Sequence, residues 1–331
     1  MDRSRPLVGL IRNPLSHRSD NRAVESPEQS ALLVRAPATH DELRSALAEF
    51  EARRIDYLAV EGGDGTVRDL LTWGHEIFGD EWPAIIILPS GKTNALAVDL
   101  GLPKRWLLRD AIIAARAGSC TQRRPMRLTG AEEAQKGKSA LRNSPPECIQ
   151  GFFLGAGAFK RGTQEGQAVH RLSLFGGLAV AVILVWSILQ IILGRANNRW
   201  RRCTRLLFAR DENGASFPHS DPEAAEERFL AVATTYRRFS FGARPFGRNP
   251  KRGIHFGIVD KPRRWVMLML PLLAMGIHPP AMARAGVHRL TVEAAAMDIG
   301  DSFIVDGEAF PAGSYLISLG PPLRFVVPET D

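Results

Sequence analysis

The sequence predicts an α/β fold in two parts: a doubly wound α/β domain, then a β-rich domain built as an antiparallel sandwich. Three observations predict it. Apolar runs at Leu7–Ile11, Tyr57–Val60 and Ala84–Leu88 alternate with stretches whose apolar residues recur at helical spacing, the order expected of a parallel sheet wound by helices. The third run, Ala84-Ile-Ile-Ile-Leu88, is unbroken, as a central parallel strand covered on both faces requires. Beyond residue 119 the pattern changes to short strand-like segments separated by turn residues, which is how a sandwich reads. A chain of 331 residues can bury two ordinary cores. The change of pattern places the boundary near 119, giving segments 1–119 and 120–331.

The elements follow in order. Leu7–Ile11 is a short strand stopped by Asn13-Pro14, and such stops at strand C-termini are where ligands bind in doubly wound sheets. Thr39-x-x-Glu42 is a capping box, and Leu43, Leu47 and Phe50 continue it as one apolar helix face. The helix leads to the strand Tyr57–Val60. A second helix carries Val67, Leu70, Leu71 and Phe78 on one face, and residues 105–117 form a third. Residues 131–147 read as a polar surface loop. In the second domain, strands are expected at 152–158, 206–209, 229–235, 253–259, 288–293, 302–305 and 314–319. Leu172–Leu193 has 22 residues and no charge, long enough to span a bilayer. Strand-like segments flank it, so a crossing would split one sheet between two sides of a membrane. A helix buried in the domain, or lying shallowly in the interface, is the expectation. Val266–Leu273, broken by Pro271, reads as core packing.

The net charge is +8, with 45% apolar and 24% charged residues, a globular composition. The positive excess is local: residues 195–264 hold 14 Arg and 2 Lys against 7 acids, and the rest is near neutral. No aromatic-interleaved or helix-turn-helix pattern accompanies it, so nucleic acid is not expected as a partner. Next to an apolar run, the excess points to an anionic membrane surface. No protein partner is predicted. The three cysteines have no metal spacing and fit a reducing compartment. The N-terminal apolar run is too short for a signal peptide, so a cytoplasmic, peripherally membrane-associated protein is expected.

The chemistry centres on Glu61-Gly62-Gly63-Asp64-Gly65-Thr66-Val67, a strand, a tight turn and a helix start. Glycines let the backbone turn sharply and approach a ligand closely. The amides of the following helix start favour an anion there, most plausibly a phosphate. Asp64 repels a bare phosphate, so its place in the turn makes sense if it holds Mg²⁺ beside the phosphates. At the end of the central strand lies Pro89-Ser90-Gly91-Lys92-Thr93-Asn94. Gly-Lys-Thr suggests a P-loop, but Ile86 stands where that motif needs its first glycine, so the P-loop reading fails. Asp306-Gly307 reads as a two-residue hairpin turn.

Together these stretches resemble the diacylglycerol and sphingosine kinase family of lipid kinases. The glycine-aspartate turn is shared with NAD kinases. Pro89, Gly91 and Asn94 match the family's second motif, in which Lys92 and Thr93 depart from the usual hydroxyl and small residues. Asn13-Pro14-x-Ser16 resembles its opening motif, with His17 in place of Gly. Asp306-Gly307-Glu308 resembles its late motif, which NAD kinases lack. The resemblance implies an ATP-dependent lipid kinase with Mg²⁺ as cofactor and the active site in the cleft between the domains. It implies a nucleotide site of Asn13, Gly62, Gly63, Asp64, Gly65, Thr66, Gly91, Lys92 and Asn94, with Asp64 also as metal ligand. Asp64 and Glu308 are the expected catalytic residues, Glu308 being the proton acceptor. The acceptor is a diacylglycerol-like or sphingoid lipid. A soluble NAD-kinase-like enzyme and a catalytically impaired membrane-binding protein of the same fold are the alternatives.

Overall fold

A computed structural model describes residues 5–14, 31–91, 93–130, 148–160, 201–210, 214–239, 242–247 and 251–329. The uncharged run 172–193 and Lys92 lie outside the described residues. Among those described, no helix is long and apolar enough to cross a membrane.

The first layer is a six-stranded sheet in the order β2-β1-β3-β4-β18-β5. Its strands are β1 (Leu7–Arg12), β2 (Ala31–Arg35), β3 (Tyr57–Gly62), β4 (Ala84–Pro89), β5 (Cys120–Arg123) and β18 (Leu323–Val326). The neighbours run parallel except β5, which is antiparallel to β18. Period-two alternation sorts the side chains of β3 and β4 into two cores. Leu58, Val60, Ile85 and Ile87 meet α1 (His40–Ala52) and α2 (Asp64–Phe78) on one face. Ala59, Ala84, Ile86 and Leu88 meet α4 (Leu108–Arg116) on the other. This is why the apolar run 84–88 has no polar break. Thr39 caps α1 as expected, with the Glu42 amide donating to Thr39 Oγ1 at 3.2 Å, while the return bond of the box shifts by one residue, Glu42 Oε2 accepting from the Ala38 amide at 2.7 Å.

Two antiparallel six-stranded sheets form the second layer. One has the order β10-β9-β14-β17-β6-β7, with β6 (Met126–Gly130), β7 (Cys148–Gly151), β9 (Thr204–Arg210), β10 (Glu227–Arg228), β14 (Ala294–Ile299) and β17 (Gly313–Leu319). The other has the order β13-β12-β11-β8-β15-β16, with β8 (Phe153–Gly157), β11 (Leu230–Thr234), β12 (Ile254–Val259), β13 (Val287–Val292), β15 (Phe303–Val305) and β16 (Glu308–Phe310). Their inner faces share a core around Leu154, Phe208, Phe256, Met297 and Phe303. The expected seven strands of this domain are present, with β6, β7, β10, β14 and β16 in addition.

The chain does not leave the first layer for good at residue 119. β5 and β18 both belong to its sheet, so the sandwich is inserted between the last two strands of the α/β layer. Asp99, in the short helix α3 (Ala95–Leu100), holds the layers together. It is fully buried and accepts from the Arg237 amide (2.6 Å), the Arg238 amide (2.8 Å) and Arg123 Nε (2.6 Å). Removing one partner of a buried, hydrogen-bonded charge costs about 3–5 kcal/mol. Asp99→Ala is therefore expected to lower the free energy of urea unfolding by that amount. A change under about 1 kcal/mol would show that Asp99 does not tie the layers together.

The expectation of core packing for Val266–Leu273 holds for only part of it. Val266, Met267 and Leu273 are buried, whereas Leu268 and Leu272 are exposed. The segment forms two short helices, α5 (Arg264–Leu268) and α6 (Leu270–Ala274). Pro271 falls in the first turn of α6, where its missing N–H costs no intrahelical bond.

Candidate active site

The C-terminal ends of β1, β3 and β4 bring three of the sequence motifs together, as the opening of a doubly wound sheet requires. α2 begins directly after Gly63, so the glycine turn is a helix N-terminus whose first amides have no partner within the helix. The turn after β4 crosses it at close range. A Cβ on Gly91 would lie 2.5 Å from Gly63 Cα, so only glycine lets the two backbones pass. The Ser90 amide donates to Gly62 O at 3.1 Å and locks the crossing.

Several predicted residues have structural partners here. Asn13 Nδ2 donates to Thr66 Oγ1 at 2.9 Å, pinning the tip of β1 to the first turn of α2. Asn94 adopts a left-handed conformation with φ of 50°. Its side chain turns back on Gly91, accepting from the Gly91 amide (3.0 Å) and donating to Gly91 O (2.8 Å). The Asp64 carboxylate accepts from the Ala95 amide at 3.0 Å and the Leu96 amide at 3.1 Å. It thus caps α3 and ties together the loops that follow β3 and β4. Burial pushes its pKa up, and the amide bonds counter part of that rise. A carboxylate offers about four lone-pair sites. Two of them are engaged, and the rest are compatible with a divalent cation.

The β15–β16 hairpin of the sandwich stands over the glycine turn. Asp306 (φ 43°) and Gly307 (φ 89°) form its two-residue tip, with positive φ at both positions as a type I′ turn demands. A Cβ on Gly65 would lie 4.0 Å from the Asp306 carbonyl oxygen. The Asp306 side chain points inward and accepts from the amides of Phe152 (2.8 Å) and Phe153 (3.0 Å). Glu308 follows, with its side chain 53% exposed in the cleft. Its partner is Arg68, a residue the sequence reading passed over. Arg68 lies on α2 one residue after the glycine motif, and its side chain is only 5% exposed. It pairs with Glu308, binds Asp69 Oδ1 at 2.7 Å, donates to Val305 O at 3.3 Å, and lies 5.8 Å from the Phe310 ring centre. One planar guanidinium therefore joins the helix that follows the glycine turn to the hairpin carrying Glu308.

Two further acids near the turn were not anticipated. Glu61 is buried at the end of β3, with Oε2 on Arg12 Nε at 2.7 Å and Oε1 without a hydrogen-bond partner among the described residues. Asp306 is fully buried, and burial, reinforced by the charge of Asp64, raises its pKa to about 7. The folded protein therefore keeps a proton on Asp306 between pH ~4 and ~7, while the unfolded chain has released it. Stability is expected to fall as pH rises through that window. In Asp306→Asn this part of the slope should vanish, even though the variant loses one amide bond and is less stable overall. Equal slopes of unfolding free energy against pH in the two proteins would contradict the assignment.

The arrangement sets the N-terminus of a helix of the α/β layer against a carboxylate carried by a hairpin of the sandwich. Residues 12–127 match the family described as the diacylglycerol kinase catalytic domain. The whole architecture is similar to solved structures from Bacillus anthracis Sterne. A provisionally named diacylglycerol kinase aligns with a TM-score of 0.66 at 14% identity, covering 97% of both chains. A diacylglycerol kinase from the same organism aligns with a TM-score of 0.61 at 13% identity, again over 97% of each chain. A search of curated proteins gives no match.

Proposed function

We propose that this protein is an ATP-dependent lipid kinase that phosphorylates the hydroxyl of a diacylglycerol-like lipid. The observation that carries the reading is the hairpin Val305–Glu308 lying over the N-terminus of α2, with Glu308 in the cleft and tied through Arg68 to the helix of the phosphate turn.

Phosphoryl transfer asks a protein mainly to position groups and stabilise charge. The backbone of Gly62–Thr66 binds the nucleotide phosphates, supported by the Gly91 crossing, and Asn13 and Asn94 hold the surrounding loops in shape. Lys92 adds a positive charge to the nucleotide side. Asp64 would hold Mg²⁺ through its remaining lone pairs, and the ion supplies neutralisation of the phosphate charge. Glu308 takes the proton from the acceptor hydroxyl as its oxygen bonds to the γ-phosphorus and the bond to the ADP oxygen breaks. Arg68 fixes the Glu308 carboxylate until a substrate hydroxyl competes for it. Peripheral attachment to an anionic membrane, on the cytoplasmic side, brings the enzyme to its acceptor.

The test is incubation with γ-labelled ATP and, separately, detergent-dispersed diacylglycerol, a sphingoid base and NAD. Label on diacylglycerol is the expected result, and label on the sphingoid base alone would reassign the acceptor. Label on NAD alone would support a soluble nucleotide kinase, and no transfer at all would support a catalytically impaired member of the fold.

A further inference from the structure

The α5–α6 segment and its continuation to Ile277 divide sharply by burial. One side packs Val266, Met267 and Leu273 against Phe229, Val259 and Val287. The other side exposes Trp265, Leu268, Leu272, Met275 and Ile277, with Leu268 at 63% and Met275 at 68%. Single exposed apolar residues are ordinary on a soluble protein, but five within thirteen positions make a patch. Two helices of five residues each cannot span a bilayer. Gly276, at φ of 87°, turns the chain sharply just past Met275.

Within this stretch of chain the charges have one sign, and Lys261 pairs with Asp221 from outside it. From Lys261 to Val292 there is no Asp or Glu, whereas Lys261, Arg263, Arg264, Arg284 and Arg289 all fall within it. Arg289 is committed to the carbonyl oxygens of Pro245 and Gly276, which shapes the turn. Arg263, Arg264 and Arg284 are exposed. A second copy of the chain is a poor occupant, because pairing like faces would bring these exposed arginines together. Apolar side chains beside exposed arginines match the boundary of an anionic bilayer, where acyl chains lie beneath phosphates. Tryptophan, here at the edge of the patch, favours that depth.

We propose that the face formed by Trp265, Leu268, Leu272 and Met275, with Arg263, Arg264 and Arg284 around it, is the surface by which the protein docks on anionic lipid bilayers. The inference rests on the lipid-acceptor reading for its biological sense, but its test does not depend on catalysis. The face packs at the β12–β13 edge of its sheet, while Glu308 lies in β16 at the opposite edge. Docking and chemistry are therefore separable by mutation.

The experiment is sedimentation of the full chain with vesicles of phosphatidylcholine and phosphatidylglycerol, with pure phosphatidylcholine as control. Each Leu or Met side chain withdrawn from the interface is worth about tenfold or more in partitioning. Leu268→Glu/Met275→Glu is expected to bind anionic vesicles ~100-fold more weakly, with the same Tm as the parent. Arg263→Gln/Arg264→Gln should weaken binding at low salt and flatten its salt dependence. Four results would each overturn the proposal: no binding by the parent chain, undiminished binding by the Glu variant, a large fall in its Tm, or parent self-association that the variant abolishes. The fall in Tm would mean that another part of the chain covers the face. Phosphorylation of micellar diacylglycerol reports on the kinase reading alone. Failure there with vesicle binding intact would remove the reaction and leave the docking surface.

Discussion

Glu308→Gln is expected to lower turnover about 10²–10⁴-fold, the range typical of losing a general base. Nucleotide affinity should stay nearly unchanged, because Glu308 stands on the sandwich side of the cleft and the phosphate turn stands on the other. The amide is close in shape to the carboxylate but cannot accept the hydroxyl proton. It also loses the charge attraction to Arg68. Glu308 is half-exposed, so little stability should be lost with that pair. Single-turnover rates and equilibrium ATP binding, measured on the same preparation, separate the roles. Collapsed nucleotide affinity with unchanged turnover at saturation would make Glu308 a binding or hairpin residue instead.

The features legible in the sequence are those fixed by neighbours within a few positions. Thr39 and Glu42 cap a helix because their partners are one turn away. Asp306-Gly307 turns a hairpin because both positions must take positive φ. Ala84–Leu88 is central because a strand apolar on both faces has to be covered on both faces. What escaped was decided at long range. β2 is short and half-exposed, and becomes a strand only by pairing in parallel with β1. β14 opens Ala294-Ala-Ala-Met, a helix-favouring composition that two flanking strands override. β18 rejoins the first sheet beside β4, more than two hundred residues later, so no local pattern could set the domain boundary.

The candidate site divides in the same way. The glycine turn, the Gly91 loop and Glu308 were visible as motifs. Arg68, by contrast, reads as an ordinary surface arginine on an amphipathic helix until the β15–β16 hairpin descends and buries it. Asp99 reads as a helix-end acid until residues 237–238 arrive from the sandwich. Val266–Leu273 misled because half of its apolar residues do enter the core, and hydropathy alone cannot say which half.

Asp64→Asn is expected to remove most turnover and, in addition, to destabilise the fold. On sequence grounds alone the variant would change charge without changing shape. The geometry adds a second effect, because both carboxylate oxygens accept backbone amides at the start of α3. An asparagine offers one acceptor and one NH₂ group, so one of the two amides would face a donor. An unpaired buried donor costs about 1–3 kcal/mol. Part of that is offset, since burial already disfavours the charged form of Asp64. The two effects separate by titrating Mg²⁺. A weakened metal site shows as a raised Mg²⁺ requirement with partial recovery at high concentration. A purely structural bracket shows as a lower urea midpoint and an unchanged Mg²⁺ dependence in the surviving activity. Both changes are expected together, because the residue's geometry serves both. Wild-type turnover across the whole Mg²⁺ range, at unchanged stability, would remove Asp64 from the catalytic machinery and from the packing of the two loops alike.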